Sequence, residues 1–465
     1  MKLLKHSLQV YISFILIMSY YVLPRININY ILSPTLYNCK DVVAPYISNS
    51  LINYSEDNHA ILDQQLELEC NSSITFKMLT QIIHNYDFLF CCVSGFDSPV
   101  SNVETKHPLY FDIIELYQTL KISEKIPTNS SSKILCFGKN SSSAADAFSF
   151  NFEEKVECKV LDQLKSTSNA STMYIPQTKW GQYETFEGCG KFNHNCRLIY
   201  FEENDLVFSN INTYVLYIMR AIFSMNKYQG KQGCFVLKIS TIFYKPIIDL
   251  IYIISHMYSK IYIMKPNTSN VLLDDRYIVC KSFVGANTSF ISQLHRIYTQ
   301  LDETKQNVKI SSLLENQLSY YFINKVEESN VIIGQQKLDA YSQLINLLKS
   351  KNKMDKIELL QKHNVQKCVY WCEKHKINHN KYTDKLNFFI PLRASSPDTG
   401  DIVAADLEDL FYTHIEKYYG DSDEDSGTTT SDKIEVDDII DMEKLQSFMK
   451  KKLCSEGSLV NKLHS

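Results

Sequence analysis

Two hydrophobic periods alternate between Gly230 and Phe283. The run Cys234-Phe235-Val236-Leu237-Lys238-Ile239 is apolar on both sides of one lysine, the pattern of a strand buried on both faces in a parallel sheet. Ile247, Ile248, Leu250, Ile251, Ile254 and Met257 then recur at helical spacing from Pro246 to Tyr258, with Pro246 suited to the first turn. Lys260 to Met264 and Arg276 to Phe283 read as two further strands around a loop at 265–270. Strand, helix, strand, loop, strand is the order of a crossover unit that ends in a hairpin. Upstream, Phe111 to Leu120 reads as a helix, Ile126 to Ser132 as a loop, and Lys133 to Gly138 as a short strand closed by glycine. Asp205 to Tyr228 predicts a helix capped by Asp205, and residues 290–377 read as successive helices. Residues 153–197 carry the weakest pattern, and Met442 to Leu453 predicts a short terminal helix.

A chain of 465 residues with 45% hydrophobic content can bury a large core, which excludes a disordered protein and suggests two or three domains. The formal net charge is −4, but residues 421–441 hold nine acids and one lysine, leaving the remainder at +4. A mildly basic body with an acidic tail is compatible with RNA as a partner. Thirteen cysteines without compact spacing point to reduced thiols in a cytoplasmic setting rather than a disulfide framework. Lys2 and Lys5 precede an apolar run from Leu8 to Met18, which is signal-like, and seven Asn-x-Ser/Thr triplets accompany it. A secreted glycoprotein is therefore a competing reading. No small-residue cleavage site follows the run, which is short for a membrane span, and a membrane partner is not favoured.

The segments Gly233-Cys234-Phe235-Val236-Leu237-Lys238, Lys265-Pro266-Asn267-Thr268-Ser269 and Tyr277-Ile278-Val279-Cys280-Lys281 resemble the end of the FtsJ-like 2′-O-methyltransferase domain. The form they resemble is that of cap methyltransferases from large DNA viruses. Tyr321 to Asn330, Ile333 to Gln336, Gln366 to Lys374, Met18 to Arg25 and Pro45 to Ser50 are similar to the same proteins. The resemblance implies an α/β fold: a Rossmann-like methyltransferase sheet, mostly parallel with an antiparallel last strand, flanked by helices and followed by a C-terminal helical region. The corresponding boundaries are an upstream extension at 1–17, an N-terminal region at 18–125, the methyltransferase-like domain at 126–289, helices at 290–415 and an acidic tail at 416–465. It also implies RNA, most plausibly capped mRNA, as partner, together with viral capping or transcription proteins, no DNA sequence recognition, and a location in host cytoplasm or virion.

Transfer of a methyl group from S-adenosylmethionine to a ribose hydroxyl needs a backbone turn that approaches the cofactor and a base for a weakly acidic proton. The family supplies the base with a Lys-Asp-Lys-Glu set whose strand lysine is held near neutrality. Lys238 matches that strand lysine. Asp112 falls at the first lysine, Glu202 at the aspartate, with Glu203 and Asp205 as neighbouring alternatives, and Asp275 at the glutamate, so the first position is reversed in charge. The cofactor turn would be Phe137, Gly138, Lys139, Asn140 and Ser141, where the family's glycine-rich run is replaced by residues bearing Cβ atoms. The resemblance thus implies an S-adenosylmethionine-dependent RNA methyltransferase with reduced or lost catalysis, or a non-catalytic scaffold or RNA-binding relative. Cys368, Cys372 and His375 share one helical face, and Cys189 and Cys196 flank His194; neither set has a fourth metal ligand, and no metal is expected.

Overall fold

In the computed structural model, the apolar run around Lys238 is the middle strand of a seven-stranded sheet. The structure describes residues 20–380, apart from 26–30, 39–43, 69–75, 94–97, 123–132, 153–156, 162–194, 203–210, 304–307 and 351–352. The expected extension at 1–17, the Asp205 cap, the pair Cys189 and His194, the acidic tail and the helix at Met442 to Leu453 lie outside these residues. The described residues all belong to one compact unit, Met1–Phe389.

The strands are β1 (Tyr20–Leu23), β3 (Lys133–Phe137), β4 (Glu157–Leu161), β5 (Cys196–Phe201), β6 (Gln229–Ile239), β7 (Tyr258–Met264) and β8 (Arg276–Phe283), in the spatial order β1-β7-β8-β6-β5-β3-β4. Strands β4, β3, β5 and β6 pair in parallel, whereas β8 lies antiparallel between β6 and β7. The sheet is therefore the mostly parallel one expected, with β8 antiparallel between two co-directional neighbours and a second antiparallel strand at the edge beyond β7. That edge is occupied by β1, which pairs antiparallel with β7 through Tyr20↔Met264 to Leu23↔Ile261.

Helices cover both faces because the strands are apolar on both. Phe235, Leu237 and Ile239 of β6 face one layer, which contains α5 (Ile211–Tyr228) and α6 (Lys245–Met257). Cys234 and Val236 face the other, which contains α3 (Leu109–Thr119), α4 (Ser141–Asn151) and α9 (Lys353–His375). Period-two alternation puts Lys238 on this second face, at the C-terminal end of its strand. The helix expected from Asp205 is described from Ile211 onward.

The region expected to be wholly helical after residue 290 contains α7 (Thr288–Glu303), α8 (Tyr320–Lys349) and α9, but also a strand, β9 (Val308–Leu314). β9 pairs with β2 (Leu32–Asn38) as a separate two-stranded ribbon. Helical side chains hold its other edge. Asn212 donates to Val308 O at 2.6 Å and accepts from Ile310 N at 2.9 Å, while Asp249 accepts from Leu313 N and Leu314 N at 2.9 and 3.2 Å. These buried partners make an edge strand stable where the sequence shows only helical spacing.

α1 (Asn49–Leu68) crosses α8 at Gly334, where an added Cβ would stand 2.4 Å from Leu51 Cδ2. None of the described helices is long and apolar enough to cross a membrane. Gly334→Leu is expected to destabilise the protein by about 1–3 kcal/mol through overpacking, measured by urea denaturation.

Candidate active site

Helix α4 leaves β3 on one face of the sheet and α5 follows β5 on the other, so the crevice beyond the ends of β3 and β5 is a topological switch point. Gly138 and Glu202 close the two strands there. Gly138 has φ +121°, and a Cβ on it would lie 2.3 Å from Glu202 Cγ and 2.6 Å from Glu202 O. The glycine is therefore required by the approach of Glu202. Glu202 donates its own N–H to Phe137 O at 3.0 Å, accepts from Asn140 N at 2.7 Å through Oε1, and accepts from the Tyr200 hydroxyl at 3.0 Å through Oε2. Burial pushes the Glu202 carboxyl up, opposed by the charge of Lys238 and by these hydrogen bonds.

Lys238 Nζ lies 3.1 Å from Asp275 Oδ2, with the two side chains 24% and 29% exposed. Burial disfavours the ammonium, but Asp275, Glu202 and Asp112 together outweigh it, so the Lys238 pKa is held above its ordinary value. This corrects the expectation of a lysine near neutrality. The structure thus brings Lys238, Asp275 and Glu202 together, with Asp112 within electrostatic range.

Asp112 is turned toward the loop between β7 and β8. It accepts from Thr268 Oγ1 and Ser269 Oγ, both at 2.7 Å, and from the Tyr277 hydroxyl at 2.9 Å. One helical turn on, Glu115 accepts from Asn267 N at 3.1 Å, Asn267 Nδ2 at 2.6 Å, Thr268 N at 3.3 Å and Trp371 Nε1 at 3.2 Å. Burial raises its pKa against those donors. Lys265 holds the same loop from inside, donating to the carbonyls of Asn270 at 3.0 Å, Asp275 at 3.3 Å and Leu273. Burial, then the charge of Arg276, lowers its pKa to about 8.

Glu115, Lys265 and His107 are the residues that sequence reasoning missed. The i, i+3 spacing of Asp112 and Glu115 did place two carboxylates on one helical face. His107 Nδ1 accepts from Leu109 N at 3.1 Å just before α3; burial lowers its pKa, as does the nearby Lys238. Phe137 was expected at the cofactor turn, but its ring is in the core, 5.1 Å from that of Phe201. Cys368 donates to Asn85 O at 3.6 Å and His375 Nδ1 meets Gln118 Oε1 at 2.8 Å, so these side chains are spent on structure. No cluster of three His, Cys, Asp or Glu side chains suited to a metal occurs among the described residues, whose nine cysteines are free thiols.

No family profile matches the chain. The cap-specific mRNA (nucleoside-2′-O-)-methyltransferase 1 of Trypanosoma brucei brucei is 26% identical over 129 residues, which cover 27% of this chain and 34% of that protein. The protein of the same name from Dictyostelium discoideum is 33% identical over 127 residues, covering 27% of this chain and 16% of that protein. Over about a quarter of its length the chain is thus similar to cap-specific mRNA 2′-O-methyltransferases. It spans about a third or less of the length of these curated relatives. A solved ribosomal RNA methyltransferase from Plasmodium falciparum aligns at TM-score 0.30 and 14% identity, over 39% of this chain and all of that one.

Against the FtsJ-like set, three positions converge (Lys238, Glu202 and Asp275) and the fourth is a carboxylate already committed to a loop. The turn from Phe137 to Ser141 does not fit S-adenosylmethionine as it stands. Its Asn140 amide and the Cβ space of Gly138 are both taken by Glu202, and Ser141 N and Oγ are tied to Gly138 O. The N-terminus of α4, which would otherwise attract an anion, already carries the Glu202 carboxylate.

Gly138→Ala is expected to cost at least about 1–3 kcal/mol, from the positive φ and the clash with Glu202, read by chemical denaturation. Lys265 has a folded pKa below its unfolded value, so the unfolded chain retains the proton longer. The stability of the wild type relative to Lys265→Met should therefore grow as pH rises from about 8 to 10.5. Parallel denaturation curves across that range give the measurement; a flat difference contradicts the assignment.

Proposed function

We propose that this chain is an S-adenosylmethionine-dependent RNA ribose 2′-O-methyltransferase homologue in which catalysis is reduced or lost. Capped mRNA is the RNA class toward which its ancestry points, and the cytoplasm, of an infected host if the chain is viral, is the setting the reading assumes. The observation that carries the proposal is the charge balance at Lys238: one ammonium faces Asp275, Glu202 and Asp112, and no second lysine stands at the fourth position. A general base works best with a pKa near the operating pH, and three carboxylates move this lysine the wrong way. The names of the relatives offer no support for a secreted glycoprotein. A chain that keeps the sheet and loses the transfer is left as an RNA-binding or scaffold relative of an active enzyme.

Titration calorimetry of S-adenosylmethionine into the full chain, beside a methyl-transfer assay on capped RNA, tests the reading. The expected result is no binding heat at micromolar ligand and no 2′-O-methylation. Micromolar binding that survives Lys238→Ala, with transfer that this substitution abolishes, would overturn it.

A further inference from the structure

The stretch from Tyr321 to Gln336 forms the first half of α8, a helix outside the sheet, and its polar residues reach the loops that carry the site. Asn330 is fully buried. Its Oδ1 accepts from Arg276 Nη1 at 2.5 Å, and its Nδ2 donates to Ile242 O at 3.3 Å. Arg276 directly follows Asp275, and Ile242 lies three residues beyond the end of β6, the strand that delivers Lys238. One amide therefore spans the two segments whose side chains form the Lys238–Asp275 pair. Asn has the donor and the acceptor this bridge needs, in one short side chain.

Two further contacts brace the same segment. Lys337, two turns along α8, pairs with Asp274 at 2.7 Å, so α8 grips both neighbours of Asp275. Arg276 Nε donates to the Asp274 carbonyl at 3.1 Å. Asp275 itself is a loop residue whose carboxylate is partly open to water, so its position is set by what fixes the backbone on either side. We propose that Asn330 is a positioning residue that holds Asp275 against Lys238 by tying Arg276 to the end of β6. The role rests on reading Lys238 and Asp275 as the pair inherited from the methyltransferase set, but it needs neither cofactor binding nor turnover.

The test follows the Lys238 side chain by NMR titration of its ε-carbon in the full chain, with Lys238→Arg used to assign the signal. Glu202, Asp112 and His107 also face Lys238 and are unchanged throughout. In the wild type the midpoint should lie above the ordinary lysine value. Asn330→Ala should shift it downward, because Asp275 is released while burial persists. In an Asp275→Asn background the same substitution should produce no further shift. Val326→Ala, which truncates a fully buried side chain of α8 one turn earlier, should lower stability without moving the midpoint. If Asn330→Ala does not fold, Lys337→Met removes the second grip and should shift the midpoint in the same direction.

An unchanged midpoint in folded Asn330→Ala, or an equal shift in Val326→Ala, overturns the proposal. A methyl-transfer result of either sign leaves this titration intact, so the two readings fail separately.

Discussion

A carboxylate taken out of water must be given donors or a cation, and four such groups organise this molecule. Glu202, Asp112, Glu115 and Asp249 are each nearly or fully buried, and each is met by backbone amides, hydroxyls or a lysine. Those donors belong to segments remote in sequence. Glu202 fixes the turn after β3, Asp112 and Glu115 fix the loop before β8, and Asp249 fixes the inner edge of β9. Buried carboxylates thus anchor these three stretches.

That anchoring gives the crevice at the ends of the strands its shape and its charge balance. A lysine with two carboxylates, Lys238 with Asp275 and Glu202, stands at the ends of the strands. Asp112 is part of the scaffold: it is hydrogen-bonded to Thr268, Ser269 and Tyr277, all of which hold the β7–β8 connection. The Glu202 carboxylate likewise holds the turn after β3, accepting from the Asn140 amide and filling the space beside Gly138.

Residues beyond the sheet complete the site. Helix α3, from the N-terminal region, supplies Asp112 and Glu115, while α9 supplies Trp371 to Glu115, and α8 reaches Arg276 and Asp274. The segments that flank the sheet in sequence therefore behave as parts of one site. The loop from Lys265 to Asp275 is held from three sides, by Lys265 within it, by α3 above it and by α8 beyond it.

The sequence by itself determined the strands around Lys238, the helix from Lys245 and the antiparallel strand at Arg276–Phe283, because their hydrophobic periods are long and unambiguous. The family resemblance pointed to Lys238, Glu202 and Asp275, and their positions at the ends of neighbouring strands bring the three together. Sequence reasoning missed β9, whose short alternation depends on Asn212 and Asp249 for its edge partners, and it misplaced Phe137, whose ring the strand turns into the core. The charge state of Lys238 was beyond its reach. That state depends on how many carboxylates surround one ammonium and how much water they share, which only the tertiary structure decides. The bond between Asn330 and Arg276 is of the same kind: 54 residues separate its partners, and no local period records it.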